Sequence, residues 1–421
     1  MIRSCLIPSS LLLGLLATLP ADAQNVLIRG ATVHTATSQG SLTNTDVLVT
    51  DGRIAAIGNG LAAPAGVPVV DAAGKPLTPT LFGGISELGA EEVSGVEDTA
   101  DTRLRLGQQP TRPEFDVTLA FNRQSILLPV ARAEGIGFAA LAPNAGGSFI
   151  AGQGGVISTD GYSPPHEVRQ LYISLGGSAS GNSGHSRAGQ WMLLAQMIDE
   201  ARGTIPATSP HALLTPAGRK ALAGYLSGKG RIMVRVDRAA DIEQLLAWSA
   251  REKVSIGIVG GTEAWKLAPQ LAAAKVPVFI ETLGNLPSSF DQLGARPDAA
   301  AKLANDGVQV SFMLAGDSAH NARKLRQSAG NAVANGLPWD TAFAGLTRVP
   351  AEALGVSGQF GRIAVGQRAD LVLWDGDPLD VAHVANRLWL GGIEHELRSR
   401  QTELRDRYLA PSSDLPRAYS R

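Results

Sequence analysis

The sequence has a single cysteine, few aromatic residues and almost no net charge. Because Cys5 is the only cysteine, disulfide bonds within the chain and cysteine-ligated zinc are both excluded. A formal net charge of -1 removes the electrostatic case for binding nucleic acid or an acidic membrane surface. Aromatic residues make up 5% of the chain, which argues against a surface that stacks nucleobases. The 421 residues, 44% hydrophobic, are enough for one large α/β barrel with an accessory domain.

The first 23 residues have the composition of a secretory signal peptide. Arg3 supplies a positive charge, residues 11–19 form an apolar stretch too short to span a membrane, and Ala21-Asp22-Ala23 is a small-residue cleavage site. A buried N-terminal helix is the alternative. We therefore expect an exported, periplasmic protein that begins at Gln24, has no membrane span after processing and contains no cysteine.

Short apolar segments alternate with turns at both ends of the chain and with helical patterns between them. Asp51-Gly52 separates two apolar runs, which is a strong β-hairpin signal. In the middle, apolar strands alternate with helical stretches, as in parallel βα units. The pattern predicts an α/β protein with a (β/α)8 barrel and a small β-sandwich built from both chain ends. The expected boundaries are a signal peptide at 1–23, the sandwich at 24–76 and 359–395, the barrel at 77–358, and a terminal helix and tail at 396–421.

Three segments carry the clearest motifs, namely residues 51–54 (DGRI), 70–75 (VDAAGK) and 361–374 (GRIAVGQRADLVLW). The first two resemble the first sandwich strands of the amidohydrolase superfamily, in particular of its exported, imidazolonepropionase-like branch, and the third resembles its returning strands. The resemblance covers nearly the whole chain after residue 23. It implies a barrel that holds a divalent metal, usually zinc, and hydrolyses carbon–nitrogen bonds.

The residues that would bind this metal depart from the family's pattern. The family's first barrel strand ends in His-x-His, where this chain has Ile85 and Glu87. Arg235 and Gly260 stand at the third and fourth histidine positions, and the acidic residue near the last strand is retained as Asp317. The chain's seven histidines are also scattered, with no two close in sequence. We therefore expect no bound zinc and no other cofactor.

The remaining polar residues each have two interpretations. Asp317 is either the family's proton-transferring acid or the cap of the helix that follows it. Arg235 either replaces the metal's positive charge between Glu87 and Asp317, forming a buried ion cluster, or it leans out to solvent or pairs with Asp237. His320, one helical turn after Asp317, is either a general base at the barrel mouth or a surface histidine.

A glycine-rich stretch at residues 146–155 invites comparison with a phosphate-binding loop. It lacks the Lys-Ser/Thr that such a loop requires. In the resembled branch a similar Gly-Gln-Gly segment is a barrel loop beside the site, so we predict a loop that shapes the barrel mouth.

Two functions remain open. The resemblance implies a hydrolase that acts on carbon–nitrogen bonds, such as those of cyclic amides or peptide-like substrates. The missing histidines favour a non-catalytic relative that binds a small molecule or stabilises a partner. The expected partners are a small-molecule ligand, further copies of the chain, or an active amidohydrolase homologue in the same compartment.

Overall fold

The computed structural model describes residues 24–104, 111–145, 148–316 and 318–409. Within them the strands form one sheet assembled from both chain ends and a second, nearly closed barrel sheet. The strands are β1 (Val26–His34), β2 (Ser41–Thr50), β3 (Arg53–Gly58), β4 (Val69–Asp71), β5 (Pro76–Pro79), β6 (Leu81–Ser86), β7 (Ile136–Leu141), β8 (Ile150–Ser158), β9 (Arg169–Ser174), β10 (Ile232–Val236), β11 (Ile256–Gly260), β12 (Val278–Ile280), β13 (Val310–Phe312), β14 (Leu371–Trp374), β15 (Ala385–Leu390) and β16 (Ile393–His395).

Helices accompany most of the barrel strands, and one more follows the last strand of the chain. They are α1 (Leu127–Ala133), α2 (Arg187–Ala201), α3 (Pro216–Leu226), α4 (Ala239–Glu252), α5 (Ala268–Ala273), α6 (Ala299–Asn305), α7 (Ser318–Asn321), α8 (Lys324–Ala334), α9 (Trp339–Gly345), α10 (Arg348–Ala353) and α11 (Arg400–Leu409). None of the helices in these residues is long and apolar enough to cross a membrane. Helix α11 lies within the segment 396–421 predicted as a terminal helix and tail, whereas the predicted signal peptide and the tail after residue 409 lie outside the described residues.

The first sheet has the strand order β16-β15-β14-β5-β1-β2-β3, with β4 beside β1. The predicted hairpin is confirmed, since β2 and β3 pair antiparallel around Asp51 and Gly52. Both turn residues have positive φ, 51° and 73°, as a tight hairpin turn of the favoured hand requires. Strand β14 pairs with β5, joining Leu371 to Pro79. The first sheet therefore extends through Pro79, beyond the predicted boundary at residue 76.

The barrel sheet follows chain order from β6 to β13. Neighbouring strands are parallel except at β8, which is antiparallel to both β7 and β9. The uniform (β/α)8 pattern expected from the sequence is therefore wrong at this strand. Only residues 142–149 connect β7 to β8, and a parallel crossover needs a dozen residues or more. The short connection leaves an antiparallel return as the available path.

Strand β8 also corrects the prediction of a loop over residues 146–155. Most of that stretch belongs to the strand, and its glycines allow neighbouring strands to approach closely. A Cβ atom at Gly154 would lie 2.2 Å from the carbonyl oxygen of Leu141 on β7. Any other residue at position 154 would force the two strands apart, so glycine here serves sheet packing.

The barrel interior is packed with large apolar side chains below the strand ends. Phe82, Phe138, Phe279 and Phe312 are fully buried, and the rings of Phe82 and Phe138 lie 5.3 Å apart. The helices bury one face against this sheet; α4, for example, buries Ile242, Leu245 and Trp248 at helical spacing. This packing fills the barrel below the ends of its strands.

Candidate functional site

The carboxyl ends of the barrel strands surround a cavity of about 290 Å³, which we call the mouth cavity. Barrels of this architecture carry their active sites at this face. The polar residues of its wall come from four strands and the residues after them, namely Ser86, Glu87, Asn144, Tyr172, Ser174 and Arg235. Apolar residues such as Ile85 and Val259 complete the wall.

A larger cavity, about 420 Å³, lies at the other end of the barrel, between the first sheet and the residues that enter β13. Its most distinctive side chain, His34, already shares a 2.7 Å hydrogen bond with Ser41 Oγ. Burial lowers the pKa of His34 in spite of the opposing charges of Asp377 and Asp340, so the ring is neutral near pH 7. The cavity around His34 lacks a convergent set of chemical groups. The mouth cavity is therefore the better candidate site, despite its smaller volume.

Arg235 projects from β10 into the mouth cavity, between Ser174 on β9 and Val259 on β11. Its side chain keeps contact with solvent through the open side of the cavity. The surrounding wall nevertheless desolvates the guanidinium and lowers its pKa, against the raising effect of Asp237 and Glu281. An arginine so placed remains protonated at neutral pH. Among the described residues, no carboxylate lies within ion-pairing distance, about 4 Å, of its guanidinium.

Glu87 is the first residue after β6, and its carboxylate ties two loops together. Its Oε1 accepts a 2.6 Å hydrogen bond from Asn144 Nδ2, and its Oε2 accepts a 3.0 Å bond from the Thr102 hydroxyl. Burial alone would raise the pKa of Glu87, but hydrogen bonds from Glu91, Asn144 and Thr102 and the charge of Arg103 hold it below its ordinary value. Glu87 is therefore ionised at neutral pH, and it fastens the loop after β6 to the loop after β7.

The sequence predicted that Arg235 contacts both Glu87 and Asp317 in an ion cluster, and the first of these two contacts is wrong. Arg235 and Glu87 line the same cavity, as expected, but they form no ion pair. The alternative ion pair with Asp237 is also absent, since Asp237 accepts hydrogen bonds from Thr262 and Gln292 instead. Asp317 lies outside the described residues, so its contact with Arg235 stays a prediction.

His320, the other candidate base, lies in the short helix α7. It is not among the described side chains that line the mouth cavity. A role as a general base at this cavity therefore remains a prediction from sequence.

The side chains of the mouth cavity do not fit a zinc ion. Ile85 and Glu87 stand in the wall as the sequence predicted, whereas the residue of β11 that faces the cavity is Val259, one position before Gly260. Zinc is held by imidazole, thiolate and carboxylate ligands, and this wall offers one carboxylate and a guanidinium. Across the residues that the structure describes, no three His, Cys, Asp or Glu side chains could together hold a metal ion.

Sequence reasoning missed four polar residues of the wall, which are Ser86, Asn144, Tyr172 and Ser174. The Tyr172 hydroxyl is buried without a hydrogen-bond partner among the described residues, and burial raises the pKa of the phenol. Asn144 follows β7 by three residues and Ser174 ends β9. A polar residue at the carboxyl end of a predicted barrel strand is the signal that could have identified both.

Comparison with known proteins gives a consistent result. Residues 256–397 match the model of the amidohydrolase family. The chain is 24% identical over 177 residues to the amidohydrolase tasK of Hapsidospora irregularis, covering 41% of this chain and 18% of that protein. It is 49% identical over 58 residues to a dihydroorotase of Citrifermentans bemidjiense, covering 14% of this chain and 13% of that protein. These alignments thus span less than a fifth of each curated relative.

A solved amidohydrolase structure from Thermotoga maritima shares the fold over most of the chain. The TM-score is 0.78 at 24% sequence identity, and the match covers 89% of this chain and 100% of the other. The family match covers the C-terminal part of the barrel and the returning strands. The structural match also covers the N-terminal part of the fold. Residues 256–397 are thus similar in sequence to the amidohydrolase family, and most of the chain shares the fold of the solved amidohydrolase structure.

Proposed function

We propose that this protein binds a small organic anion in the mouth cavity and does not carry out zinc-dependent hydrolysis. The observation that carries the proposal is Arg235, a fixed positive charge at the carboxyl end of a barrel strand with no ion-pair partner among the described residues. A partly desolvated guanidinium gains most from a carboxylate or phosphate, which its planar fork can bind with two hydrogen bonds.

The side chains that line the mouth cavity argue against hydrolysis by a zinc-bound water. A zinc-bound water is acidified because the metal draws charge from it, and Arg235 supplies charge without that coordination. Glu87, the carboxylate of this wall, is already engaged by Thr102 and Asn144. The residues therefore suit ligand retention better than activation of water.

Binding of small carboxylates to the purified chain tests the proposal. Isothermal titration with acetate, succinate and 4-acetamidobutanoate should detect binding of at least one anion to the wild type. Arg235→Gln should abolish it, because glutamine keeps the hydrogen-bonding capacity and removes the charge. Arg238→Gln is the matched control, since Arg238 is an exposed arginine three residues further along the chain. Binding that survives in Arg235→Gln would contradict the proposal.

Hydrolysis of a carbon–nitrogen bond is the second candidate function, favoured by the similarity of residues 256–397 to the amidohydrolase family. It would draw on Asp317 and His320 as acid and base, as the sequence suggested. Turnover of an amide or cyclic amide by the wild type, lost on treatment with a chelator and restored by a divalent metal, would favour this candidate over anion binding.

A further inference from the structure

The mouth cavity presents two opposite charges that do not neutralise each other. Glu87 stands at the end of β6 and Arg235 at the end of β10, and both line the cavity. They form no ion pair, although each is partly desolvated by the barrel wall. Opposite charges in one small cavity usually pair when they can reach each other, because desolvation makes isolated charges costly. A gap is therefore left between them that a ligand can bridge.

A ligand with a single charge would satisfy only one side of this cavity. An anion bound to Arg235 would complete the desolvation of Glu87 and repel its carboxylate. A cation bound to Glu87 would do the same to Arg235. A molecule that carries both charges removes both costs at once. Building on the proposed anion site, we propose that the ligand is a zwitterion whose carboxylate binds Arg235 and whose ammonium group donates to Glu87.

The hydrogen bonding of Glu87 leaves room for this contact. An ionised carboxylate has about four acceptor positions. Asn144 and Thr102 occupy one on each oxygen, and Glu91 contributes a further side-chain hydrogen bond. About one position therefore remains for a donor from the ligand. An ammonium group, a compact charge with freely turning donors, suits a carboxylate whose other directions are taken.

The size of the cavity limits the ligand to a small molecule. Its volume of about 290 Å³ lies just below the range, roughly 300–1,000 Å³, of sites for drug-sized ligands. A short ω-amino acid fits this volume and places its two charges at opposite ends of a flexible chain. The unpartnered Tyr172 hydroxyl belongs to a side chain of the same wall.

Matched probes separate the zwitterion from the simple anion. Isothermal titration of the full-length protein would compare 3-aminopropanoate, 4-aminobutanoate and 5-aminopentanoate with their N-acetyl and amide derivatives, which keep only the negative or only the positive charge. The best ω-amino acid should bind about tenfold or more tightly than its N-acetyl form. In Glu87→Gln this advantage should shrink to about twofold or less, whereas the control Glu243→Gln, an exposed glutamate on α4, should retain it.

A second measurement needs no variant of Glu87. The wild type should bind 4-(trimethylammonio)butanoate less tightly than 4-aminobutanoate, because the quaternary nitrogen keeps the charge but has no N–H to donate. If the N-acetyl acids bind as tightly as the ω-amino acids, the zwitterion is wrong and the anion site stands. If none of the acids binds, the anion site itself is wrong.

Discussion

Arg368 Nη2 lies 2.7 Å from Asp160 Oδ2, across the junction between the barrel and the sheet built from the chain ends. Arg368 also contacts Asp370, with its Nε 3.0 Å from Oδ1. Both carboxylates are buried, and the arginine is nearly so. One guanidinium therefore compensates two buried negative charges on either side of the junction. Arg132, Tyr162 and His395 face the same cluster.

Replacing this arginine should destabilise the protein strongly. Arg368→Leu would leave Asp160 and Asp370 buried without their cation, which costs about 3–5 kcal/mol when one member of a buried ion pair is removed. Urea denaturation at pH 7 measures the free energy of unfolding.

The matched control is Arg405→Leu, because Arg405 pairs with Asp406 where both side chains are mostly exposed. Its effect should stay within about 0.5 kcal/mol. Equal effects of the two substitutions would show that the junction cluster contributes no more than a surface ion pair.

The buried carboxyl of Asp370 should make stability fall as the pH rises. Burial raises the pKa of Asp370 to about 6, in spite of the charge of Arg368 and a hydrogen bond from Gly391. The folded protein therefore holds this proton where the unfolded chain, with the ordinary aspartate value of about 3.9, has lost it. Relative to the wild type, Asp370→Asn should gain up to roughly 3 kcal/mol between pH 4 and pH 7.

Urea denaturation of both proteins across this pH range gives the difference directly. The difference should grow through the interval and level off above it. A constant difference between wild type and Asp370→Asn would mean that the carboxyl titrates normally.

His395 should produce the opposite trend over much of the same range. Burial lowers the pKa of His395 to about 4, helped by the charges of Arg132 and Arg368. Below about pH 6.5 the unfolded chain takes up a proton that the folded protein refuses, so stability is lost as the pH falls towards 4.

His395→Gln should remove this loss, and its free energy of unfolding should fall less than that of the wild type on acidification. Because the trends of Asp370 and His395 oppose each other, the wild type should show a shallow pH dependence between pH 4 and 6. The double variant Asp370→Asn with His395→Gln should be similarly shallow, and a steep profile in it would contradict this assignment.

The purified protein should carry no stoichiometric zinc. In the wall of the mouth cavity, Ile85, Arg235 and Val259 have no lone pair to offer a metal, and Glu87 alone cannot hold zinc. Elemental analysis after dialysis is the measurement. One zinc ion retained per chain would contradict the prediction and favour the hydrolase function instead.

Arg235 should matter more for binding than for folding. The sequence suggested a buried cluster whose loss would cost about 3–5 kcal/mol. Because Arg235 keeps solvent contact and has no ion pair among the described residues, Arg235→Leu should change the free energy of unfolding by less than about 1 kcal/mol. A larger loss in urea denaturation would indicate that Asp317 completes a cluster after all.

The sequence predicted the architecture because its patterns are local. The Asp51-Gly52 turn, the alternation of strands with helices and the returning segment at 361–374 each report on neighbouring residues. The prediction failed at β8, where the direction of the strand depends on the length of one connection, residues 142–149. The periodicity of apolar residues contains no information on strand direction.

The site was predictable only in part. Glu87 and Arg235 could be placed at the mouth because each follows or ends an apolar strand. The absence of an ion pair between them could not be predicted. It depends on Asn144 and Thr102, whose hydrogen bonds hold the Glu87 carboxylate against two loops. Export, a partner protein and the role of His320 stay predictions.

The pairing of β14 with β5 sets the order in which the chain can fold. The first sheet is completed only when residues 371–395 reach strands formed by residues 26–79, and Trp374 Nε1 donates a 2.8 Å hydrogen bond to Thr78 Oγ1 across nearly the whole sequence. Closing so long a loop is slow, since its entropy must be lost before the contacts form. Completion of the first sheet must therefore wait until residues 371–395 have been synthesised, whereas the β2–β3 hairpin needs no residue beyond the first sixty.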